Sequence, residues 1–286
     1  MANSIDKDIS SAEMTAYWRS LESDLSFDTL SQLMITPEGQ QKAINYQQSQ
    51  FNAAPRTFCL RARYFYDEAL QLLNTNHYNS LISLGSGFSL LTYLIAKTYL
   101  QKHPDKKLNI IDTDLEKIIN ARKEKLDHID LGFNLDYQHF IADIEQAHQN
   151  NTPLADLFST AATSPIFLIE GLSYFLSIDC LTWLFTSIQE QYENAAIIWD
   201  YWSSDLPQRS AFFVRLLEYF KNALPNNENG RSVISPEFLQ QLTQGYHYNK
   251  LSLSDLEKKL LPIEKHILLD ENQFIPIDFG VFVKKN

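Results

Sequence analysis

The sequence predicts an α/β protein: one sheet of about seven mostly parallel strands, closed by an antiparallel strand and overlaid by helices. Three observations carry the prediction. Apolar runs of strand length alternate with helical-period segments from residue 78 onward. The first unit, Tyr78–Lys125, reads strand, tight glycine turn, helix, strand, carboxylate. Acids then recur just behind successive apolar runs, at Asp112 and Asp114, Asp143, Glu170 and Asp200. Open α/β sheets bind ligands at that edge.

Each element has its own local reason. Ala16, Tyr17, Leu21, Leu25 and then Leu30, Leu33, Met34 suggest helices broken near Ser23–Asp28 and again at Pro37. Pro55 starts a helical run to Leu73 that carries Arg61, Arg63 and Asp67. The two arginines are two residues apart and do not share a helix face, and Arg61 is expected to be solvated. Leu81–Leu84 is the first strand, followed by Gly85-Ser86-Gly87 and a helix-like run from Leu90. Leu108–Ile111 is the second strand and 115–126 its helix. Residues 134–142 are a third strand ending at Asp143-Ile144, with a short apolar turn at 154–158. Pro165–Ile169 is short and wholly apolar, as a central parallel strand should be, and ends at Glu170-Gly171. A helix over 177–193 leads to a fifth strand, 195–199, ending Asp200-Tyr201-Trp202. Residues 203–230 read as a helical insertion with a flexible Pro225–Gly230 tail. Ser235-Pro236-Glu237 opens another helix, with Gly245 behind it as a cap. Segments 246–253 and 274–283 close the sheet. The predicted organisation is a helical cap over 1–75, then a nucleotide-binding core over 76–286 that carries the 203–230 insertion.

The glycine turn narrows the ligand. Gly85 lets the chain leave its strand with unusual dihedrals, and Gly87 lets a ligand approach the backbone. The next helix offers free N–H groups. Asp112 and Asp114 sit where carboxylates can accept from ribose hydroxyls. A dinucleotide fingerprint needs a third glycine three residues after Gly87, where this chain has Leu90. The shortened turn suits S-adenosylmethionine (SAM), which carries ribose and a carboxylate but no phosphate. Asp143 could instead N-cap the helix after it.

Composition bounds the rest. Net charge is −11, from 24 basic and 35 acidic residues, with no long basic run, so nucleic acid is not an expected partner. The two cysteines, Cys59 and Cys180, exclude a disulfide framework and a four-cysteine metal site; no metal is expected. The polar, acidic start, Met1–Ser11, does not read as a signal peptide, and no run approaches the roughly 20 apolar residues of a membrane span. A cytoplasmic protein is the expectation; oligomeric state is not read from the sequence.

These residues resemble the leucine carboxyl methyltransferase-like family of SAM-dependent enzymes, which includes bacterial O-methyltransferases of polyketide pathways. Arg61-Ala62-Arg63-Tyr64-Phe65-Tyr66-Asp67 is similar to its Arg-x-Arg-aromatic segment, and Leu84-Gly85-Ser86-Gly87-Phe88 to its glycine loop. Asp112-Thr113-Asp114 resembles its Glu-Val-Asp, with Glu116 standing where the family has Pro. Ala142-Asp143-Ile144 resembles its Asp-Leu pair without the Arg-Asp that follows it there. Ile169–Leu176 is similar to its Glu-Gly-Leu-x-Tyr-Leu run, and Thr36-Pro37-Glu38-Gly39 to the bacterial N-terminal region. The resemblance implies a class I, Rossmann-like methyltransferase fold. It implies that Arg63 binds the SAM carboxylate, Gly85 the methionine portion and Asp114 the ribose. Asp143 with Ile144 would frame the adenine, and Glu170 would meet the methionine end.

A carboxylate acceptor is ionised at neutral pH, whereas an alcohol needs a base. None of the seven histidines has a neighbour pattern that marks a base; His139 and His247 read as structural. This favours a carboxylate, or an acidic hydroxyl, on a small molecule or peptide terminus, with Arg19, Tyr201 and Arg209 as acceptor-side candidates. A nicotinamide-dependent oxidoreductase, against which Leu90 argues, and a non-catalytic SAM-binding protein are the alternatives.

Overall fold

The computed structural model describes residues 4–133, 135–158, 163–204, 213–218, 233–268 and 275–285, with side chains from residue 9 onward. Helices α1 (Ser4–Leu21), α2 (Ser23–Ser26), α3 (Pro37–Ser49) and α4 (Ala54–Leu73) precede the sheet. Then follow β1 (Ser80–Leu84), α5 (Leu91–Lys102), β2 (Asn109–Asp114), α6 (Glu116–Leu126), β3 (Tyr137–Ile141), α7 (Ile144–Gln149), β4 (Pro165–Ile169), α8 (Ile178–Gln191) and β5 (Ala196–Ser203). The last elements are β6 (Val233–Ile234), α9 (Pro236–Leu242), β7 (Tyr246–Ser252), α10 (Leu253–Leu260) and β8 (Ile277–Lys284). The turn 154–157 is a short 3-10 helix.

The eight strands run in the order β3-β2-β1-β4-β5-β8-β7, with β6 beside β5. Strands β1 to β6 pair in parallel, and β8 is antiparallel to both β5 and β7. This is the predicted mixed sheet with one strand more than expected. Two-residue β6 carries no alternation to read.

Strand alternation divides the core. Leu81, Ile166, Leu168, Ala196, Ile198 and Trp202 face one layer, with α4 and α5. Ile82, Leu84, Phe167, Ile169, Ile197, Trp199 and Tyr201 face the other, with α7 and α8. Burying each leucine, isoleucine or phenylalanine among them is worth about 1.5–3 kcal/mol. Trp18, Ala43 and Phe51 of the N-terminal segment share the first layer, so the helices over 1–75 pack directly on the sheet.

Helix starts follow their caps. Thr36, Asp143, Ser177, Ser235 and Ser252 each accept a backbone N–H three residues on. The chain order reverses between β1 and β4. That switch point opens a crevice at the strands' carboxyl ends.

Candidate functional site

Over that crevice lies a cavity of about 820 Å³. Its floor is the glycine turn and the strand ends: Gly85–Ser89 after β1, Asp114 and Leu115 after β2, residues 142–145 after β3, and residues 170–172 after β4. Its roof is α1, from Ser10 to Arg19. The far wall holds Tyr46, Phe51, Thr57, Phe58, Tyr174 and Trp202.

The glycine turn is pinned from both sides. Gly85 and Gly87 both have positive φ, at +70° and +54°. The Gly87 N–H donates to Asp114 Oδ2 at 2.7 Å, and its carbonyl accepts from Arg122 Nη1 at 2.9 Å. Asp114 Oδ1 also accepts from the Leu115 N–H at 2.7 Å. Asp143 is exposed at the rim and N-caps α7 through Gln146, while Ile144 is buried behind it.

Charge is concentrated at Glu170. Arg19 Nη1 donates to both of its oxygens, at 3.0 and 3.2 Å, and Arg61 Nε donates to Oε1 at 3.1 Å. Arg19 Nε also pairs with Asp28 at 2.9 Å, and Arg61 Nη1 lies 3.7 Å from Asp200. Both arginines are buried. Burial works against the Arg61 charge, but Glu170 and Asp200 outweigh it and hold its pKa above the ordinary value. Asp200 is fully buried, and burial raises its carboxyl against the pull of Arg61. It accepts from the Gly171 N–H at 2.6 Å and from the Tyr174 hydroxyl. Gly171 sits at φ +70°, where a side chain is strained, and a Cβ there would crowd Arg61 Nη1 at 3.0 Å.

Several expectations change here. Arg63 does not line the cavity. It pairs with Asp67 one turn on, at 2.7 Å, and lies over the Phe27 ring at 4.0 Å. Two residues turn a helix by about 200°, so only one of Arg61 and Arg63 can face the crevice. Thr57 and Phe58, four and three residues before Arg61, also line it. Arg61 is thus buried rather than solvated. Asp112 is also withdrawn from the cavity. β2 continues two residues beyond it, leaving it fully buried between Thr92, Arg122 and Tyr137. Tyr201 faces the α8 layer, its ring tilted against Trp199 and its hydroxyl bonded to that of Tyr248. β5 runs on to Ser203, so Asp200 lies inside the strand, and Trp202, of opposite parity to Tyr201, faces the cavity. Gly85, Ser86, Gly87, Asp114, Asp143, Ile144, Glu170 and Arg19 do meet in it. Arg209 lies outside the described residues, as does most of the 203–230 insertion.

The donor set fits SAM. A ligand with ammonium, carboxylate and ribose hydroxyls needs acids and donors of both signs in one place. Asp114 and Glu170 supply carboxylates there, and Arg19 and Arg61 supply guanidinium groups. Ser86 Oγ and Arg19 Nη2 are buried without a hydrogen-bond partner among the described residues. Such orphans are rare unless a ligand completes them.

The sequence model of the leucine carboxyl methyltransferase family matches residues 10–189, more than half of the chain. A crystal structure of a candidate methyltransferase from Thermobifida fusca YX superposes with a TM-score of 0.64 at 12% identity, covering 96% of this chain and 94% of the other. A DUF574 family protein from Streptomyces avermitilis MA-4680 does so with a TM-score of 0.64 at 11% identity, covering 96% and 97%. At such identity these likenesses show the fold. Comparison with curated proteins finds no significant match.

Proposed function

The chain belongs to the leucine carboxyl methyltransferase family, and from that premise we propose that this SAM-dependent methyltransferase methylates oxygen, on a carboxylate or acidic hydroxyl of a small molecule or peptide terminus. The observation that carries the reading is the cavity itself. It joins the Gly85–Gly87 turn and Asp114 to Glu170 with its two buried arginines, and continues into an apolar chamber.

When bound, SAM supplies a methyl group made electrophilic by its sulfonium. In this reading Asp114 holds the ribose, Asp143 and Ile144 frame the adenine, and Gly85 to Gly87 leave room along the backbone. Glu170 takes the ammonium. Arg61, rather than Arg63, takes the cofactor carboxylate. The chain's remaining task is to align the acceptor oxygen and keep water out. α1 and the aromatic wall do the second.

No histidine or cysteine stands among the described lining residues. The Tyr174 phenol is a poor base candidate, since burial and then Asp200 hold its pKa well above 10.0 and its O–H donates to Asp200. An acceptor that arrives already ionised fits such a site; an alcohol does not. The acidic balance of the chain, −11, disfavours a nucleic acid acceptor, and no helix among the described residues is long and apolar enough to cross a membrane.

Incubation with methyl-labelled SAM and a panel of acids, phenols and C-terminal peptides tests the reading. Label released by mild alkali marks an ester and supports it. Label that survives alkali, as an ether or amine, refutes the carboxyl assignment.

A further inference from the structure

The cavity is divided by charge. Its acids other than Glu170, namely Asp114, Asp143 and Glu145, all lie on the side of β2 and β3. Its cations, Arg19, Lys42 and Arg61, come from α1, α3 and α4. Four strand spacings separate β3 from β5 in the sheet, about 19 Å. The ribose and adenine of the cofactor belong with the acids at β2 and β3, and its amino-acid end reaches Glu170 and Arg61 at the centre. What remains is a chamber at the β5 and β8 end, where every described lining residue contributed by those strands is apolar: Trp202 and Ile277.

Flat surfaces wall this chamber. Trp18 stacks on Phe58 at 5.1 Å, and Tyr174 stacks on Trp202 at 4.4 Å. Tyr46 completes the Trp18 side at 5.8 Å. Where the chamber meets Glu170 stands Arg19, 1% exposed, with Nη1 and Nε committed to Glu170 and Asp28. Its Nη2 has no partner among the described residues. A buried guanidinium nitrogen left unpaired is costly, and a carboxylate is the group that satisfies it best.

The mouth argues against a folded partner. Among the large exposed hydrophobic residues described, only Phe175 lines the cavity. Among the described residues the opening thus lacks the contiguous apolar patch that marks many protein-docking surfaces.

Resting on the methyltransferase reading above, we propose that the acceptor is a small, flat, ring-bearing carboxylic acid. It enters as its anion, lies between the Trp18–Phe58 and Tyr174–Trp202 pairs, and is held at its carboxylate by Arg19 Nη2. Methylation then joins the acceptor oxygen to the methyl carbon as that carbon leaves the sulfonium. The products are a neutral ester and the thioether, and no proton has to be moved.

The carboxylate that satisfies Arg19 could come from the acceptor or from the methionine end of the cofactor, and calorimetry separates the two. The native protein, saturated with S-adenosylhomocysteine (SAH), is titrated with 2-naphthoate, its neutral isostere 2-naphthamide, and a hexapeptide with a free C-terminal leucine. The expected result is naphthoate binding at least tenfold tighter than naphthamide and tighter than the peptide. Equal affinity for naphthoate and naphthamide, or a preference for the peptide, overturns the proposal. Arg19→Gln is expected to lose more affinity for naphthoate than for SAH. A larger loss for SAH assigns Arg19 to the cofactor and overturns it too. Should that variant fail to fold, Trp202→Leu tests the same chamber: it should weaken naphthoate at least fivefold and leave SAH within twofold, and unchanged naphthoate binding counts against the proposal. Failure of SAH to bind the native protein would instead remove the underlying reading, and is seen separately by titrating the native protein with SAH alone beforehand.

Discussion

Arg61→Lys and Arg63→Ala should behave very differently, although the two arginines are neighbours in one motif. Arg61 is 7% exposed, donates to Glu170 at 3.1 Å and stands 3.7 Å from Asp200. Truncating it to alanine leaves two buried carboxylates short of a partner, a loss of about 3–5 kcal/mol for a broken buried pair. Lysine keeps the charge but cannot reproduce the guanidinium fork, which makes it the variant for binding work. Arg63 makes an exposed pair with Asp67, worth about 0.3–0.5 kcal/mol, and a ring contact with Phe27 worth about 0.5–1 kcal/mol. Its removal should therefore cost about 1 kcal/mol of stability. Losing a charge-assisted hydrogen bond to a ligand carboxylate costs about 1.5–3 kcal/mol, or roughly ten- to 150-fold in affinity. Urea unfolding followed by circular dichroism reads the first quantity, and calorimetric titration with SAH reads the second. Arg61→Lys should bind SAH at least tenfold more weakly, and Arg63→Ala within about twofold of the native protein. If Arg63→Ala loses binding while Arg61→Lys keeps it, the assignment of the crevice face of α4 is wrong.

Three further outcomes follow from buried groups. Burial, then Arg122, pushes His139 down from its ordinary 6.5 to about 4, so the folded protein holds this ring neutral while the unfolded chain protonates it. Its contribution is fully present above pH 6.5 and is lost as pH falls towards 4, by about 2 kcal/mol after allowance for partial exposure; His139→Phe should flatten that part of the profile in urea titrations. Burial pushes the Cys59 thiol up to about 12 and raises that of Cys180, so neither should react with an aromatic disulfide reagent at pH 8 until the protein is unfolded. Asp112→Asn leaves the Arg122 guanidinium buried without its countercharge and should cost about 3 kcal/mol in urea unfolding; Asp114→Asn should cost much less stability and weaken SAH more.

The parts of the site that were legible in the sequence are those set by local chemistry. Gly85-Ser86-Gly87 follows the short, leucine- and isoleucine-bearing strand Ser80–Leu84, and Glu170-Gly171 follows the wholly apolar Pro165–Ile169, so both turns could be placed at strand ends without tertiary knowledge. The Ser235-Pro236 start of α9 is equally local. What was not legible depends on depth and on facing. Asp112 and Asp114 look equivalent in the chain, yet one is roofed by Arg122 from α6 and the other opens to the cavity. Tyr201 and Trp202 differ only by the parity of β5, which Ile197 and Trp199 set but which reaches them only because the strand continues to Ser203. Arg61 could have been separated from Arg63 by following Thr57 and Phe58 along one helical face. The ties from α1 to the core were beyond reach. Glu13 to Lys125 spans 112 residues and Arg19 to Glu170 spans 151, and both are products of packing rather than of pattern.

The most direct test of the central claim is calorimetric titration of the native protein with SAH, repeated on Asp114→Asn. One site per chain, a rise in melting temperature with ligand concentration, and at least tenfold weaker binding by the variant are the predicted results. No heat and no thermal shift for the native protein, or undiminished binding by Asp114→Asn, would contradict the account.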